Sequence, residues 1–180
     1  MFSFYDLGRI TYENALRIQT EAFDSILLAK SKRYSGENKL FFCEHDPVYT
    51  IGKSGLASNL LVAENQLKEK GISFYHTNRG GDITYHGPGQ LVVYPIIDME
   101  SFGIGVKEYV DRLEEIVILT IADYGLKGER LQGATGVWLD TGTNNSRKIC
   151  AIGVRCSGFV TMHGFALNVN TDLNYFNYIN

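Results

Sequence analysis

The chain has 180 residues, of which 44% are hydrophobic and 21% are charged, and its formal net charge at pH 7 is −3. This length predicts one domain over residues 1–180, and a chain of this mass buries about 70% of its unfolded surface. The acidic balance argues against a nucleic-acid partner. We expect no membrane segment and no secretory signal, because neither a long apolar run nor a basic leader is present.

The first half of the chain alternates helix-like and strand-like segments. Residues 12–30 place apolar side chains at helical spacing after Thr11, a residue type that caps helix N-termini. Lys39–Glu44 is a short apolar run and predicts a strand. A weaker helix is predicted over Leu60–Lys70, and Ile72–His76 predicts the next strand.

The second half contains one strong helix and several strands. Leu91–Ile97 predicts a strand, and residues 106–124 repeat apolar side chains at helical spacing until Gly125 ends the helix. Further strands are predicted at Gly136–Leu139, Lys148–Arg155 and Phe159–Asn170, the last two joined as a hairpin. This order favours an α+β fold, with a mixed, largely antiparallel sheet and packed helices.

The segment Arg79–Gln90 is the most unusual part of the sequence. Its twelve residues, RGGDITYHGPGQ, include four glycines, one proline, an arginine and a histidine. Glycine lets a ligand approach the main chain closely, exposed N–H groups hold a carbonyl or an anion, and Arg79 adds a fork of donors. The spacing matches neither a phosphate-binding loop nor a dinucleotide fingerprint. The segment therefore predicts a ligand-binding loop, with an ordinary glycine-rich connection as the alternative.

Two later strands carry unusual polar residues. Lys148 opens an otherwise apolar strand, and strand alternation predicts that Lys148, Cys150 and Ile152 share one face. A partly desolvated amine there can take a proton or lower the pKa of a thiol, whereas a surface lysine is the alternative. His163 and Gly164 interrupt the last strand, which favours a bulge or a close ligand.

Other titratable residues favour structural roles. His163, like His45 and His76, is interpreted as a hydrogen-bonded structural histidine, and four irregularly spaced histidines give no support to a metal site. The pair Glu114-Glu115 is interpreted as part of a solvated helix face. Three cysteines without metal-ligand spacing predict reduced thiols and a cytoplasmic location.

Four stretches together resemble a known family. They are HDPVYTIG (His45–Gly52), RGGDITYHGPGQLVVYP (Arg79–Pro95), KICAIGVR (Lys148–Arg155) and MHGFALNV (Met162–Val169), and they span nearly the whole chain in order. These stretches are similar to the octanoyltransferase family LipB of lipoate biosynthesis. The resemblance implies the fold that this family shares with lipoate–protein ligases and biotin–protein ligases.

The resemblance also implies an activity. Enzymes of this family transfer an octanoyl group from octanoyl-acyl carrier protein to a lysine of lipoyl domains, in 2-oxoacid dehydrogenase complexes and in the glycine cleavage H protein. The group passes through a cysteine thioester, without ATP or another cofactor, and a monomer is expected. Lys148 matches the lysine that lowers the pKa of that cysteine. The residues expected to bind substrate are Arg79, Gly80, Gly81, Asp82, Ile83, Thr84, Tyr85, His86, Ala151, Ile152, Gly153, Gly164, Phe165 and Ala166.

The sequence departs from the family pattern at the nucleophile. The family's cysteine lies in a Pro-Cys-Gly motif after a segment like Asn174–Ile179, and the sequence has no such motif. We therefore expect a domain shortened at its C-terminus, with the nucleophile just beyond Asn180, and interpret Cys150 as a buried structural thiol. Two alternatives stay open: an ATP-dependent lipoate or biotin ligase of the same fold, and a non-catalytic module that binds an acyl group or acyl carrier protein.

Overall fold

The computed structural model describes residues 2–180. Its strands are β1 Phe2–Ile10, β2 Asn38–His45, β3 Val48–Ile51, β4 Ser73–His76, β5 Ile83–His86, β6 Gln90–Ile96, β7 Glu129–Leu131, β8 Ala134–Leu139, β9 Arg147–Ser157 and β10 Val160–Asn168. Its helices are α1 Tyr12–Ser31, α2 Glu64–Glu69 and α3 Val106–Ala122, with 3₁₀ turns at Ala57–Asn59, Met99–Phe102 and Leu173–Tyr178. None of these helices combines the length and apolar character that crossing a membrane requires.

Two sheets form the framework. Seven strands lie in the order β1-β2-β6-β10-β9-β8-β7, and a smaller sheet has the order β4-β3-β5. Only the pairs β1–β2 and β3–β4 are parallel among the strands described. The predicted mixed, largely antiparallel sheet with packed helices is therefore confirmed, as is the hairpin of β9 and β10, in which Val160 pairs with Ser157.

Helix α1 forms as its sequence pattern predicts. The Thr11 hydroxyl accepts a hydrogen bond from the Asn14 main-chain N–H at 3.4 Å, which caps the first turn. Ala15, Phe23 and Ile26 are buried along one stripe and join the core above β2, β6 and β10. This packing stabilises the centre of the large sheet, from which the adjacent pocket is built.

Helix α3 departs from the predicted burial. Its buried apolar stripe is narrower than expected, because Val106 and Ile116 are 43% and 53% exposed and Tyr124 lies beyond the helix at 81%. Glu114, interpreted from sequence as solvated, is only 6% exposed and faces the sheet. That interpretation is wrong because a polar contact with β8, invisible to periodicity, holds the carboxylate inside.

Several short elements were not predicted correctly. The helix expected over Leu60–Lys70 is confined to Glu64–Glu69. The glycine-rich segment expected as a loop contains β5, which pairs with β3 over four residues. Strands this short have too few alternating side chains to show a period of two. The edge strand β1 is mostly exposed, so its sequence has no buried face to detect.

Candidate active site

A pocket of about 620 Å³ is lined by residues of both sheets. Tyr12 of α1 and the turn Leu173–Tyr178 complete its wall. Its volume lies within the range typical of small-molecule sites. The predicted site residues that line it are Arg79, Gly81, Asp82, Ile83, Thr84, His86, Lys148, Ala151, Ile152, Gly153, Gly164, Phe165 and Ala166. Segments far apart in sequence therefore meet around one cavity.

Two of the expected residues lie elsewhere. The Gly80 N–H donates a 2.9 Å hydrogen bond to the Val154 carbonyl and ties the segment to β9. Tyr85 points into a separate aromatic cluster, where its ring stacks on Tyr175 with centroids 4.6 Å apart. Neighbouring residues of a strand face opposite sides, so Tyr85 leaves the pocket while Thr84 and His86 line it.

Part of the pocket wall was not predicted from the sequence. These additional lining residues are Tyr12, Gln90, Val92, Tyr94, Thr135, His163, Asn168, Leu173, Phe176 and Ile179. Most of them lie on regular elements with no unusual local composition, and only the fold brings them to the cavity. The unusual residues His163 and Gly164 were the one signal in the sequence. The structure keeps β10 continuous there, with His163 at a φ of +61°.

Arg79 builds the pocket rather than offering its whole fork to a ligand. One Nη donates to the Thr50 carbonyl at 2.7 Å and to the Thr50 hydroxyl at 3.0 Å, and the other Nη donates to the Gly80 carbonyl at 3.0 Å. Burial lowers the pKa of the guanidinium, which is only 8% exposed. Both Nη groups of Arg79 are thus used within the protein, whereas its buried Nε has no hydrogen-bond partner among the described residues.

Glycines allow the segment around Arg79 to pack between two other motifs. A Cβ on Gly52 would lie 2.3 Å from the Gly81 carbonyl oxygen, and one on Gly153 would lie 2.9 Å from the Gly80 carbonyl oxygen. The Gly52 and Ser54 N–H groups donate to the carbonyls of Asp82 and Gly81 at 3.2 Å each. The glycine-rich segment is therefore held between the end of β3 and the middle of β9.

Histidines form neutral, hydrogen-bonded parts of the wall. Gln90 uses its amide N–H groups on Tyr85 and Asn168, so its Oε1 accepts from His86 Nδ1 at 2.7 Å. His163 Nε2 lies 2.7 Å from Asn78 Oδ1. Burial lowers the pKa of both His86 and His163 to about 3. Both are hydrogen-bonded, as interpreted for His163, and both also line the pocket.

His45 is likewise a hydrogen-bonded histidine of the core. Its Nδ1 donates to the Ile10 carbonyl at 2.9 Å, which leaves Nε2 to accept from the Tyr94 hydroxyl at 2.7 Å. Burial lowers the pKa of His45 below its ordinary value. The structural role interpreted from sequence therefore agrees with its contacts, and Tyr94 carries the contact onward to the pocket wall. His76 is exposed.

Lys148 and Cys150 do not share the arrangement predicted from alternation. A register shift between β8 and β9 lies at these residues, because Val137 pairs with Cys150 but Trp138 pairs with Lys148. Lys148 lines the pocket, and its Nζ lies 4.8 Å from the centroid of the Trp138 ring. Although the Lys148 side chain is exposed overall, partial desolvation of its ammonium group lowers the pKa of Lys148.

None of the three cysteines lines the pocket. Cys150 is fully buried in the core beneath α3, and burial raises the pKa of its thiol well above the ordinary value. Burial also raises the pKa of Cys43, to about 12, and that of Cys156. All three are free thiols. Within residues 2–180 no cluster of histidine, cysteine and carboxylate side chains is arranged to hold a metal ion.

Comparison with known proteins identifies the family. Residues 18–180 match the lipoyl protein ligase A/B catalytic domain. The chain belongs to this family. It is 61% identical over 180 residues to an octanoyltransferase of Parabacteroides distasonis, covering 99% of this chain and 81% of that protein. It is 59% identical over 174 residues to an octanoyltransferase of Bacteroides fragilis, covering 97% and 79%.

A solved structure supports the same fold. The P. falciparum protein LipL1, determined in complex with lipoate, superposes on this family member with a TM-score of 0.73 at 14% identity. The match covers 98% of this chain and 51% of that protein. The lipoate–protein ligase type of fold expected from the resemblance is confirmed. The named relatives also confirm the expected enzyme class, an octanoyl-transferring acyltransferase.

We expect Gly52→Ala to destabilise the protein by about 1–3 kcal/mol, because its Cβ would overlap the Gly81 carbonyl. Gly80→Ala is the matched control, because Gly80 lies in the segment that packs against Gly52. Its Cβ would meet only the Val154 oxygen, at 3.4 Å. Its effect should stay within about 1 kcal/mol. Urea unfolding measures both, and equal stabilities of the two variants would contradict the packing described.

We expect the free energy of unfolding to fall as the pH drops from about 6.5 towards 3. In this range the unfolded chain protonates histidines whose folded pKa is about 3, namely His86 and His163. Each of them adds up to about 1.4 kcal/mol per pH unit. Urea unfolding at several pH values should show a shallower slope for His163→Gln and an unchanged slope for His76→Gln, an exposed histidine. An unchanged slope for His163→Gln would contradict the burial argument.

Proposed function

We propose that this octanoyltransferase-family chain takes its acyl group from octanoyl-acyl carrier protein and delivers it to a lysine of a lipoyl domain through a cysteine thioester. One observation carries the proposal: the pocket gathers the glycine-rich segment, the middle of β9, the His163–Ala166 part of β10 and Lys148 around one cavity. The relatives named octanoyltransferases support the acyl group. The lipoyl domains of 2-oxoacid dehydrogenase complexes and the glycine cleavage H protein are the proposed acceptors.

The pocket has the character that an eight-carbon chain requires. Apolar side chains of Val92, Ile152, Phe165 and Phe176 contribute to its wall. Each methylene moved from water to such a wall contributes about 0.8 kcal/mol. The neutral state of His86 and His163 at pH 7 avoids a charge beside the chain. These contacts support an acyl chain as the bound group.

Lys148 is the proposed acid and base. Its lowered pKa increases the fraction of neutral amine near neutral pH compared with an ordinary lysine. As the ammonium it stabilises a nearby thiolate, which attacks the thioester carbonyl, and it then protonates the departing thiolate of the carrier. As the amine it takes the proton from the lipoyl-domain lysine when that nitrogen attacks the enzyme thioester. The enzyme thiolate is then regenerated beside the ammonium.

The nucleophile is proposed to lie in the polypeptide that follows Asn180. The support is spatial: Ile179 and Lys148 line the same pocket, and the Asn180 N–H donates to the Asn59 carbonyl at 2.9 Å, which fixes the chain at that wall. The three cysteines within residues 2–180 are unsuited, because none lines the pocket. Their free thiols favour a reducing compartment, so we also propose a cytoplasmic location. The monomeric state stays a prediction.

The reaction is tested by intact mass spectrometry of an apo lipoyl domain incubated with the full-length protein and octanoyl-acyl carrier protein, without ATP. We expect one octanoyl group on the domain's lysine. Modification that requires ATP and free octanoate would instead assign the protein to the ligases. Binding of the octanoyl carrier without transfer under either condition would assign it to the non-catalytic modules.

The role of Lys148 is tested by two substitutions in the full-length protein. Lys148→Ala should reduce transfer by at least about a hundredfold, the usual contribution of a general acid or base. Lys148→Arg keeps a cation for the thiolate but cannot release its proton. Acyl-enzyme should still form, because a thiolate can depart unprotonated, whereas delivery should slow because no amine takes the proton of the lipoyl lysine. Mass spectrometry of the enzyme and of the domain separates these steps.

Cys150→Ala is the thiol control for the same experiment. We expect near-wild-type transfer, because Cys150 is buried beneath α3 away from the pocket. Complete loss of acyl-enzyme in Cys150→Ala would instead identify Cys150 as the nucleophile. Near-normal transfer by Lys148→Ala would remove the role proposed for the lysine.

A further inference from the structure

Glu114 is a buried carboxylate whose contacts lead towards the pocket. Its Oε1 accepts a hydrogen bond from the Gly136 N–H at 2.9 Å, and its Oε2 accepts one from Arg130 Nε at 3.0 Å. The Glu114 side chain is 9% exposed, whereas that of Arg130 is 43% exposed. A buried charge is costly unless it is paired and hydrogen-bonded. A side chain that served only to keep the helix soluble would stay exposed, so the burial of Glu114 needs another explanation.

Gly136 connects this carboxylate with Lys148. Its φ is +121°, a main-chain conformation reserved for glycine. A Cβ at this position would lie 2.4 Å from the Cys150 carbonyl oxygen and 3.3 Å from Cδ of Lys148. The main chain of β8 therefore lies directly against the stem of Lys148, at the point where Glu114 accepts its N–H.

Trp138, two residues after Gly136 on β8, also contacts Lys148. Its ring lies beneath the Lys148 ammonium at 4.8 Å from Nζ to the ring centroid. The Trp138 indole N–H donates to the Ala134 carbonyl at 2.9 Å, which fixes the ring on its own strand. The register shift of β8 against β9 lies between Val137 and Trp138. The stem and the ammonium of Lys148 thus both rest on the segment that Glu114 anchors.

The titratable groups around Lys148 also connect it with Glu114. The titratable groups that act on its ammonium are Cys150 on the same strand and Glu114 on α3. Burial lowers the pKa of Lys148, and the Glu114 carboxylate opposes that change. Arg130 of β7 pairs with Glu114, and Trp138 of β8 carries no charge. Glu114 is thus linked to the lysine both through the main chain and through its charge.

We propose that Glu114 is a positioning residue for Lys148, anchoring β8 at Gly136 so that the lysine stem and ammonium are held towards the pocket. Its importance for transfer rests on the proposed role of Lys148 as acid and base. The same geometry also gives it an effect on the lysine that is measurable without turnover.

The test compares Glu114→Gln with Glu115→Gln in the full-length protein. Glu115 is a matched control, because it lies on the same helix, accepts from the same Arg130 at 2.8 Å and is 49% exposed. Glutamine at position 114 can still accept from the Gly136 N–H but has no charge. We expect the Lys148-dependent limb of the kcat–pH profile to move down by at least about half a unit in Glu114→Gln and to stay in place in Glu115→Gln.

A third variant tests the anchoring itself. Glu114→Ala removes both the charge and the acceptor for Gly136, so we expect kcat to fall about tenfold with little change in KM for the octanoyl carrier. If Glu114→Gln recovers most of the lost kcat, the loss in Glu114→Ala is due to the missing hydrogen bond to the Gly136 N–H. If Glu114→Ala does not fold, the buried contact with Gly136 is needed for the β8 structure itself, and the glutamine pair tests the effect of the Glu114 charge on Lys148.

A readout without turnover separates this inference from the proposed function. Reductive ¹³C-methylation of the lysines and NMR titration report the ionisation of Lys148, assigned by its absence in Lys148→Arg. The Lys148 resonance should titrate at lower pH in Glu114→Gln than in wild type or Glu115→Gln. Identical titrations in all three proteins would remove the effect of the Glu114 charge on Lys148, and an unchanged kcat in folded Glu114→Ala would overturn the anchoring at Gly136. Absent transfer by wild type with a shifted titration would overturn only the proposed function.

Discussion

The buried guanidinium of Arg79 holds the pocket together. Its hydrogen bonds to Thr50 join the glycine-rich segment to β3 of the small sheet, while the adjacent Gly80 N–H joins the same segment to β9 of the large sheet. A buried cation without such partners would cost several kcal/mol, so the charge fixes where the segment lies. Gln90 of β6 adds hydrogen bonds to His86 and to the Tyr85 carbonyl of β5, so the two sheets are joined at the pocket wall as well.

The close packing around Arg79 explains why three separated sequence stretches share unusual composition. Gly52 and Gly153 have no side chains where the main chain of residues 79–81 passes, and a methyl group on either would overlap a carbonyl oxygen. Each stretch therefore constrains the others, although none is a neighbour in sequence. Such mutual constraint makes the combination far more specific than any single glycine-rich loop, which occurs in many unrelated folds.

The elements that could be predicted from sequence are those whose signal is local. Helix α1 has its cap and its apolar stripe within one segment, and the β9–β10 hairpin has its turn between two strong strands. Lys148 was found from its unusual place in an apolar strand, whereas Tyr12 and Tyr94 were missed because only tertiary packing brings them to the cavity. The shared face proposed for Lys148 and Cys150 failed because the β8–β9 register shift breaks strict alternation.

Helix α3 also shows that helical spacing alone does not predict which polar side chains are buried. Glu114 and Glu115 are adjacent and chemically identical, yet one is buried against β8 and the other is half exposed. Their difference comes from the partner that each meets: Gly136 supplies a main-chain N–H to the first, while the second meets only Arg130. The main-chain N–H of Gly136, a strand residue whose φ excludes other residues, thus pairs with the buried carboxylate. In the proposed positioning role, the conformation of the neighbouring strand β8 holds Lys148 together with the lysine's own strand.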